Sequence, residues 1–208
     1  MSNQIGSEDY DIGEHRHRFA VWTAARAVAR GFTSTAKVKN AIDACGLRAF
    51  AFGDPGNWPA DPELVDSLHK KWSAAILRQL EMDEVFEKKK GGAKRKKPLE
   101  KEKCYGWTAK IIAIYLKTII LMGCHWDHAF AKVMHPPIDR TLLKELSKRS
   151  EFPASKSQWS KTNWTQLTED DYEKLIASFR AARANDGEFW RIERFWNPER
   201  EEPSGETD

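Results

Sequence analysis

The chain has 208 residues, a net charge of +3, an apolar fraction of 40% and nine tryptophans, enough for one domain with a substantial core. Three scattered cysteines, Cys45, Cys104 and Cys124, exclude a disulfide framework and point to reduced thiols. The longest apolar run, Ile111 to Cys124, is interrupted by Lys117 and is shorter than a membrane span needs, and the polar N-terminus lacks a signal-peptide core.

These features predict a monomeric cytoplasmic protein, nucleoid-associated in a bacterium. The charge is unevenly spread. Glu87 to Lys103 holds nine Lys/Arg against three Glu, which leaves the rest of the chain net acidic. A localised basic segment suits contact with phosphates, and it equally suits a solvated loop with no partner.

In chain order, residues 1–13 are polar and expected to be disordered. Glu14 to Arg30 reads as a helix: Phe19, Trp22 and Arg26 follow three- and four-residue steps, alanines keep the helix slim, and Gly31 is a C-cap. Thr33 or Ser34 caps a second helix that runs to about Cys45 and stops at Gly46. Phe50 to Pro62, rich in Gly and Pro, reads as a loop. Asp61 then caps a third helix with Pro62 at its first position, and Leu64, Leu68, Trp72, Ile76 and Leu80 are expected in the core.

Residues 88–103 lack apolar periodicity and read as a basic mobile loop, with Lys94, Arg95 and Lys96 among its phosphate-binding candidates. Helices follow at about Trp107–Met122 and Ile138–Lys148, with 151–163 as a loop. Thr168 caps the next helix in a near-capping-box with Asp171, and Tyr172, Leu175, Ile176 and Phe179 form its core face. Phe189 to Trp196 is a last short helix with Phe189, Ile192, Phe195 and Trp196 buried, and 198–208 is an acidic tail expected to be disordered. No stretch alternates with period two. The expectation is a single all-α domain over 14–197 with about seven helices.

Two residues at helix starts stand out. Lys110 lies in the first turn of an apolar helix, where burial and the positive helix end lower the pKa of an amine towards nucleophilic use; the same location suits a lysine that merely snorkels. Asp139 follows Pro136-Pro137-Ile138 and precedes Leu142 and Leu143. It is placed to cap a helix, and a carboxylate fixed there can also stabilise a developing oxocarbenium ion or help deprotonate a nucleophile.

Gly106-Trp107-Thr108-Ala109-Lys110, an apolar helix, then Pro137-Ile138-Asp139 opening a second helix, resembles the signature region of helix-hairpin-helix DNA glycosylases, especially the lysine-bearing 8-oxoguanine DNA glycosylase/AP lyases. The likeness spans about forty residues, with Gly106 matching the hairpin glycine, Lys110 the nucleophile and Asp139 the aspartate. It departs at Thr108, where a second glycine usually stands, and at Thr141, where a histidine does; Gly123 to His135 lengthens the interval between Lys110 and Asp139. A Lys-rich segment with Pro98 replaces the first hairpin helix, so the motif is degenerate. The resemblance implies double-stranded DNA as partner, no cofactor, base flipping, attack of Lys110 on C1′ of a damaged nucleoside, a Schiff base and β-elimination. Gly106, Trp107 and Thr108 would meet the DNA backbone.

Two further groups are candidates for DNA or base contact. His15, Arg18, Phe19, Trp22 and Arg26 share one helix, where basic and aromatic residues suit phosphates and bases, while Phe19 and Trp22 equally suit a core. Trp159 and Lys161, in a W-S-K-x-x-W loop ending at Trp164, are candidates for stacking on a flipped base or for filling a gap between helices. Cys124, His125, Asp127, His128 and His135 contain zinc-ligand residue types, but C-H-x-x-H matches no established spacing and no metal is expected. The sequence leaves two alternatives to an enzyme: a non-catalytic DNA-binding helical module of a repair or antiviral defence assembly, and a helical protein-interaction adaptor.

Overall fold

The structure is a computed structural model that describes residues 10–28, 33–80, 84–88, 94–98, 104–152, 156–182 and 187–197. It is predominantly helical, as the periodicity predicts. Helix α1 spans Ile12–Ala27, α2 Thr35–Ala44 and α3 Leu47–Ala51, and α4 spans Pro62–Gln79. Strands β1 (Glu84–Lys88) and β2 (Lys94–Pro98) follow. Then come α5 (Tyr105–Leu116), a π-helix over Lys117–His125, α6 (Ala129–Val133) and α7 (Arg140–Ser147). The chain closes with α8 (Lys156–Lys161), a 3₁₀ turn at Trp164–Gln166, α9 (Glu169–Ala182) and a 3₁₀ helix at Phe189–Phe195.

The predicted caps form. Asp61 accepts the Glu63 amide at 2.8 Å with Pro62 at the first helical position, and Ser34 accepts from Lys37 at 3.3 Å. Thr168 and Asp171 bond reciprocally as a capping box. Asp11 caps α1 by accepting from Gly13 and Glu14, so residues 10–13, expected to be disordered, belong to the first helix and its cap. The Gly31 cap, residues 1–9 and the 198–208 tail lie outside the described residues.

Several expectations are corrected. The basic stretch holds an antiparallel hairpin with Glu84 opposite Pro98 and Glu87 opposite Arg95, which puts Lys94, Arg95 and Lys96 on β2. Lys-Arg-Lys-Lys-Pro contains no apolar residue, so alternation could not announce a strand there. The remainder of 88–103 up to Lys103 lies outside the described residues. Helices α3, α6 and α8 occupy stretches read as a helix stop or as loops; each has only five or six residues, too short for a period to register.

In α4, Leu64 is 56% exposed while Val65, His69, Trp72, Ser73 and Ile76 are buried. A strict four-residue spacing drifts about 40° per step around a 3.6-residue helix, so Leu64 and Leu80 cannot share a face. Trp196, expected in the core, is 43% exposed.

Two hydrophobic cores meet along α5. The first gathers α1, α2, α4, α5 and α6 around Ile42, Ile76, Tyr115 and Phe130. The second gathers α7, α8, α9 and the last 3₁₀ helix around Leu142, Trp159, Phe179 and Ile192. Tyr105 and Ala109 of α5 belong to the second core, Ile111, Ile112 and Tyr115 to the first, and Trp164 packs against both.

With its π-helical continuation, Tyr105–His125 is long and apolar enough to cross a membrane, unlike the shorter run read from the sequence. It is packed as a central helix here, with 61% of its most apolar window buried and α1 and α4 against it.

Candidate active site

The N-terminus of α5 is closed by the chain itself. The Tyr105 amide donates to the Leu167 carbonyl at 3.1 Å, and the Trp164–Gln166 turn lies directly on Gly106. A Cβ at Gly106 would stand 1.8 Å from the Trp164 carbonyl oxygen, so the glycine answers to a close backbone approach. Trp107 is buried, and Thr108, with no exposed surface, donates its hydroxyl to the Tyr105 carbonyl at 2.9 Å. Gly106, Trp107 and Thr108, expected at a DNA backbone, are therefore core residues.

One turn further on, the expected pair is in place. Lys110 Nζ lies 3.1 Å from Asp139 Oδ2, with the lysine side chain 8% exposed and the aspartate 17%. Asp139 caps α7 by accepting the Leu142 amide on Oδ1 at 2.9 Å, which fixes its carboxylate plane and turns Oδ2 towards Lys110. Two indoles frame the pair. The Lys110 ammonium sits 4.5 Å from the centroid of the Trp164 ring, and Trp196 Nε1 donates to Asp139 Oδ2 at 3.1 Å. One carboxylate oxygen thus holds an amine and an indole N–H in a largely dry recess.

A second lysine–carboxylate pair lies along the same helix. Lys117 follows Lys110 by seven residues, two helical turns on the same face, and pairs with Glu193 of the last 3₁₀ helix. Burial pushes the Glu193 carboxyl up, with Asp139 adding to the rise, against the opposing pull of the Lys117 ammonium. The pair opens into a groove of about 600 Å³ walled by Leu121, Met122, Trp126 and Trp190 and edged by Arg191 and Arg194.

Neither Glu193 nor Trp196 was identifiable as a site residue: Phe189, Ile192 and Phe195 mark the core face of the 3₁₀ helix, but local spacing does not say what its other face, or the Trp196 that follows it, will meet. The groove itself depends on the π-helix. Its wider turn displaces the backbone carbonyls, and Arg16 of α1 donates to the Ile119 carbonyl at 2.9 Å. The helix ends at Cys124, in the left-handed region with φ 74°.

On the other side of α5 a polar chain joins the two cores, buried at His69, His135 and Tyr172 and part-exposed at Asp66 and Arg180. Arg180 of α9 donates twice to Asp66 of α4, at 2.6 and 2.7 Å. Asp66 accepts from His135 Nε2 at 2.7 Å, and His135 Nδ1 lies 3.1 Å from the Tyr172 hydroxyl, which is 3.5 Å from His69 Nε2. This chain lines a cavity of about 310 Å³. Burial pushes Asp66 up, but hydrogen bonds from Arg180 and His135 outweigh it and hold the carboxyl well below the usual range.

His135 is four residues before Asp139, so the network anchors the loop that delivers the aspartate. It also means that the zinc-ligand types do not converge. His135 is engaged here, Cys124 is exposed, His128 caps α6 by accepting the Phe130 amide, and the His125 and His128 rings stand edge-on to Trp58. Among the described residues no group of three or more His, Cys, Asp or Glu is placed to hold a metal.

Burial lowers the pKa of His69, His135 and, at its contact with Asp43, His17. A histidine with a depressed folded-state pKa leaves the unfolded chain binding more protons below its ordinary value near 6.5, so stability is full above that value and is lost as pH falls through it. Three such groups act in one direction. Thermal unfolding at pH 5.5 is expected at a clearly lower midpoint than at pH 7.5, and His17→Gln, His69→Gln and His135→Gln, each compared with the parent across that range, should flatten the dependence.

The remaining candidates divide by exposure. His15, Arg18, Phe19, Trp22 and Arg26 form an exposed stripe on α1, with Phe19 and Trp22 each 50% exposed and Arg26 stacked 5.8 Å over Trp22; the buried face is His17, Ala20, Val21 and Ala24. Lys161 is exposed on α8. Trp159, expected in a stacking loop, has no exposed surface: it packs edge-on against Phe152 and Phe179 and donates Nε1 to Ser178 Oγ at 2.9 Å.

Comparisons with protein-family models, with curated proteins and with solved structures find no match to this chain.

Proposed function

We propose that the protein is a DNA glycosylase with AP lyase activity, acting on a damaged or modified base in double-stranded DNA. In this reading α5 corresponds to the second helix of a degenerate helix-hairpin-helix, with the β1–β2 hairpin standing where the first helix would be. The observation that carries the reading is the meeting of Lys110 and Asp139, 29 residues apart in the chain, at 3.1 Å between Trp164 and Trp196.

Asp139, its geometry fixed by the α7 cap, takes the ammonium proton and frees the Lys110 amine for attack on C1′ of the extruded nucleoside. As the bond to the base breaks, Asp139 passes that proton to the departing base and, ionised again, faces the developing oxocarbenium charge. The two indoles exclude water and offer flat surfaces to the sugar or the base. The α1 stripe and the basic residues of β2 supply phosphate and stacking contacts.

The test is base release from a panel of lesion duplexes, followed by chromatography of the free base. Lys110→Gln and Asp139→Asn are each expected to lower release by about a hundredfold or more. Parent-level release by Lys110→Gln would remove Lys110 from the mechanism.

A second reading is a non-catalytic DNA-binding module, and the burial of Lys110 favours it. It expects salt-sensitive duplex binding that survives both substitutions, with no base released from any lesion.

A further inference from the structure

Lys110 and Lys117 occupy the same face of one helix, and each is paired with a carboxylate, yet their access differs. The Lys110 side chain is 8% exposed and its Nζ is covered by Asp139 and Trp164. The Lys117 side chain is 30% exposed and lines the open groove beside its partner Glu193, whose side chain is 12% exposed. The groove walls are apolar and aromatic, Leu121, Met122, Trp126 and Trp190, and its edge carries Arg191 and Arg194. A ring-opened deoxyribose has matching chemistry: a small, reactive aldehyde flanked by two phosphates.

We propose that Lys117 and Glu193 form a second reactive site that captures abasic DNA, with Lys117 as the imine-forming amine and Glu193 as its proton acceptor. The inference rests on the reading of the chain as a DNA-acting protein. Entry of the sugar strips the remaining water from a half-buried pair, and Glu193 takes the ammonium proton, leaving a neutral amine. Burial already favours the protonated carboxyl of Glu193. The amine adds to the C1′ aldehyde, and loss of one water gives the imine. Glu193, returned to its ionised form by giving its proton to the departing hydroxyl, removes a C2′ proton. The electron pair moves into the C2′–C3′ bond, and the 3′ phosphate leaves with its bonding electrons. No oxidant, metal or further reactant is needed.

The test uses the full chain with a duplex carrying one abasic site. Sodium borohydride reduces the imine to a stable secondary amine, and peptide mass spectrometry locates the adduct. The expected result is an adduct on the peptide bearing Lys117. Lys117→Arg keeps the charge pair with Glu193 but cannot form an imine, and should lower trapping by about tenfold or more while the circular dichroism spectrum stays that of the parent. Glu193→Gln, which leaves the Lys117 ammonium without its proton acceptor, should slow trapping and lower strand nicking by about tenfold or more.

An adduct confined to Lys110 or to the basic hairpin, or trapping unchanged in Lys117→Arg, would overturn the proposal, as would no adduct from the parent. Base release from lesion duplexes is scored separately. Release without an adduct at Lys117 sinks this inference and leaves the glycosylase reading standing; an adduct at Lys117 without release from any lesion does the reverse.

Discussion

Gly106→Ala is expected to lose stability by about 3 kcal/mol or more, at the top of the range for overpacked sites. The added methyl meets the Trp164 carbonyl oxygen at 1.8 Å, and a backbone oxygen cannot rotate aside as a side-chain tip can. Relief requires α5 and the Trp164–Gln166 turn to separate, which breaks the bond from the Tyr105 amide to the Leu167 carbonyl and draws the Trp164 ring off the Lys110 ammonium. Gly123→Ala is the matched control. Its Cβ would lie 2.2 Å from Arg16 Nη2, the end of a flexible side chain, so the loss should be near that of one hydrogen bond, about 1 kcal/mol. Urea denaturation of the two variants beside the parent measures both. Equal midpoints for Gly106→Ala and parent would show that the glycine's contact is not what holds the turn on α5.

Trp159→Ala is expected to be the most destabilising tryptophan substitution, losing roughly 3–5 kcal/mol. The indole has no exposed surface, fills the space between Phe152 and Phe179 and carries a satisfied N–H; its removal leaves a cavity in the second core and strands the Ser178 hydroxyl. Trp22→Ala offers the contrast. Half of that ring is in solvent, so stability should change by less than about 1 kcal/mol while duplex affinity falls. Thermal unfolding and a salt-controlled binding titration separate the two. A stable Trp159→Ala variant with weakened binding would restore the base-stacking role for that residue.

Local structure is legible in the sequence where a period or a cap governs it. The positions of α1, α2, α4, α7 and α9 follow from their apolar spacing and from Ser34, Asp61, Asp139 and Thr168 at their starts. Lys110 and Asp139 were legible as a pair because each stands at a helix start beside apolar sequence, which restricts where its side chain can go. Their partners were not. Trp164 and Trp196 reach the pair from 3₁₀ segments whose side-chain directions are set by tertiary packing, and Glu193 meets Lys117 across 76 residues of chain. Trp159 lies in the core and Trp22 on the surface, and the sequence left both places open to each, because a tryptophan is chemically equipped for a core and for a stacking surface alike and only its neighbours decide. The short helices and the hairpin escape for different reasons: five or six residues are too few for a helical period, and β2 has no apolar residue to alternate.

The π-helix after Leu116 acts as a phase shifter. Lys110 and Lys117 keep α-helical phase, whereas the residues beyond them belong to a wider ring that holds one residue more per hydrogen bond. Leu121 and Met122 therefore point where a continuous α-helix would not send them. Deleting Thr118 would take out the residue that the wider turn accommodates, and the segment would close as an α-helix with Leu121 and Met122 still facing the groove. The change would fall inside the shortened turn, where the Ile119 carbonyl loses its place against Arg16, while Lys110, upstream of it, stays opposite Asp139. The wider turn thus admits one more residue to the helix without turning the groove walls away from Trp190.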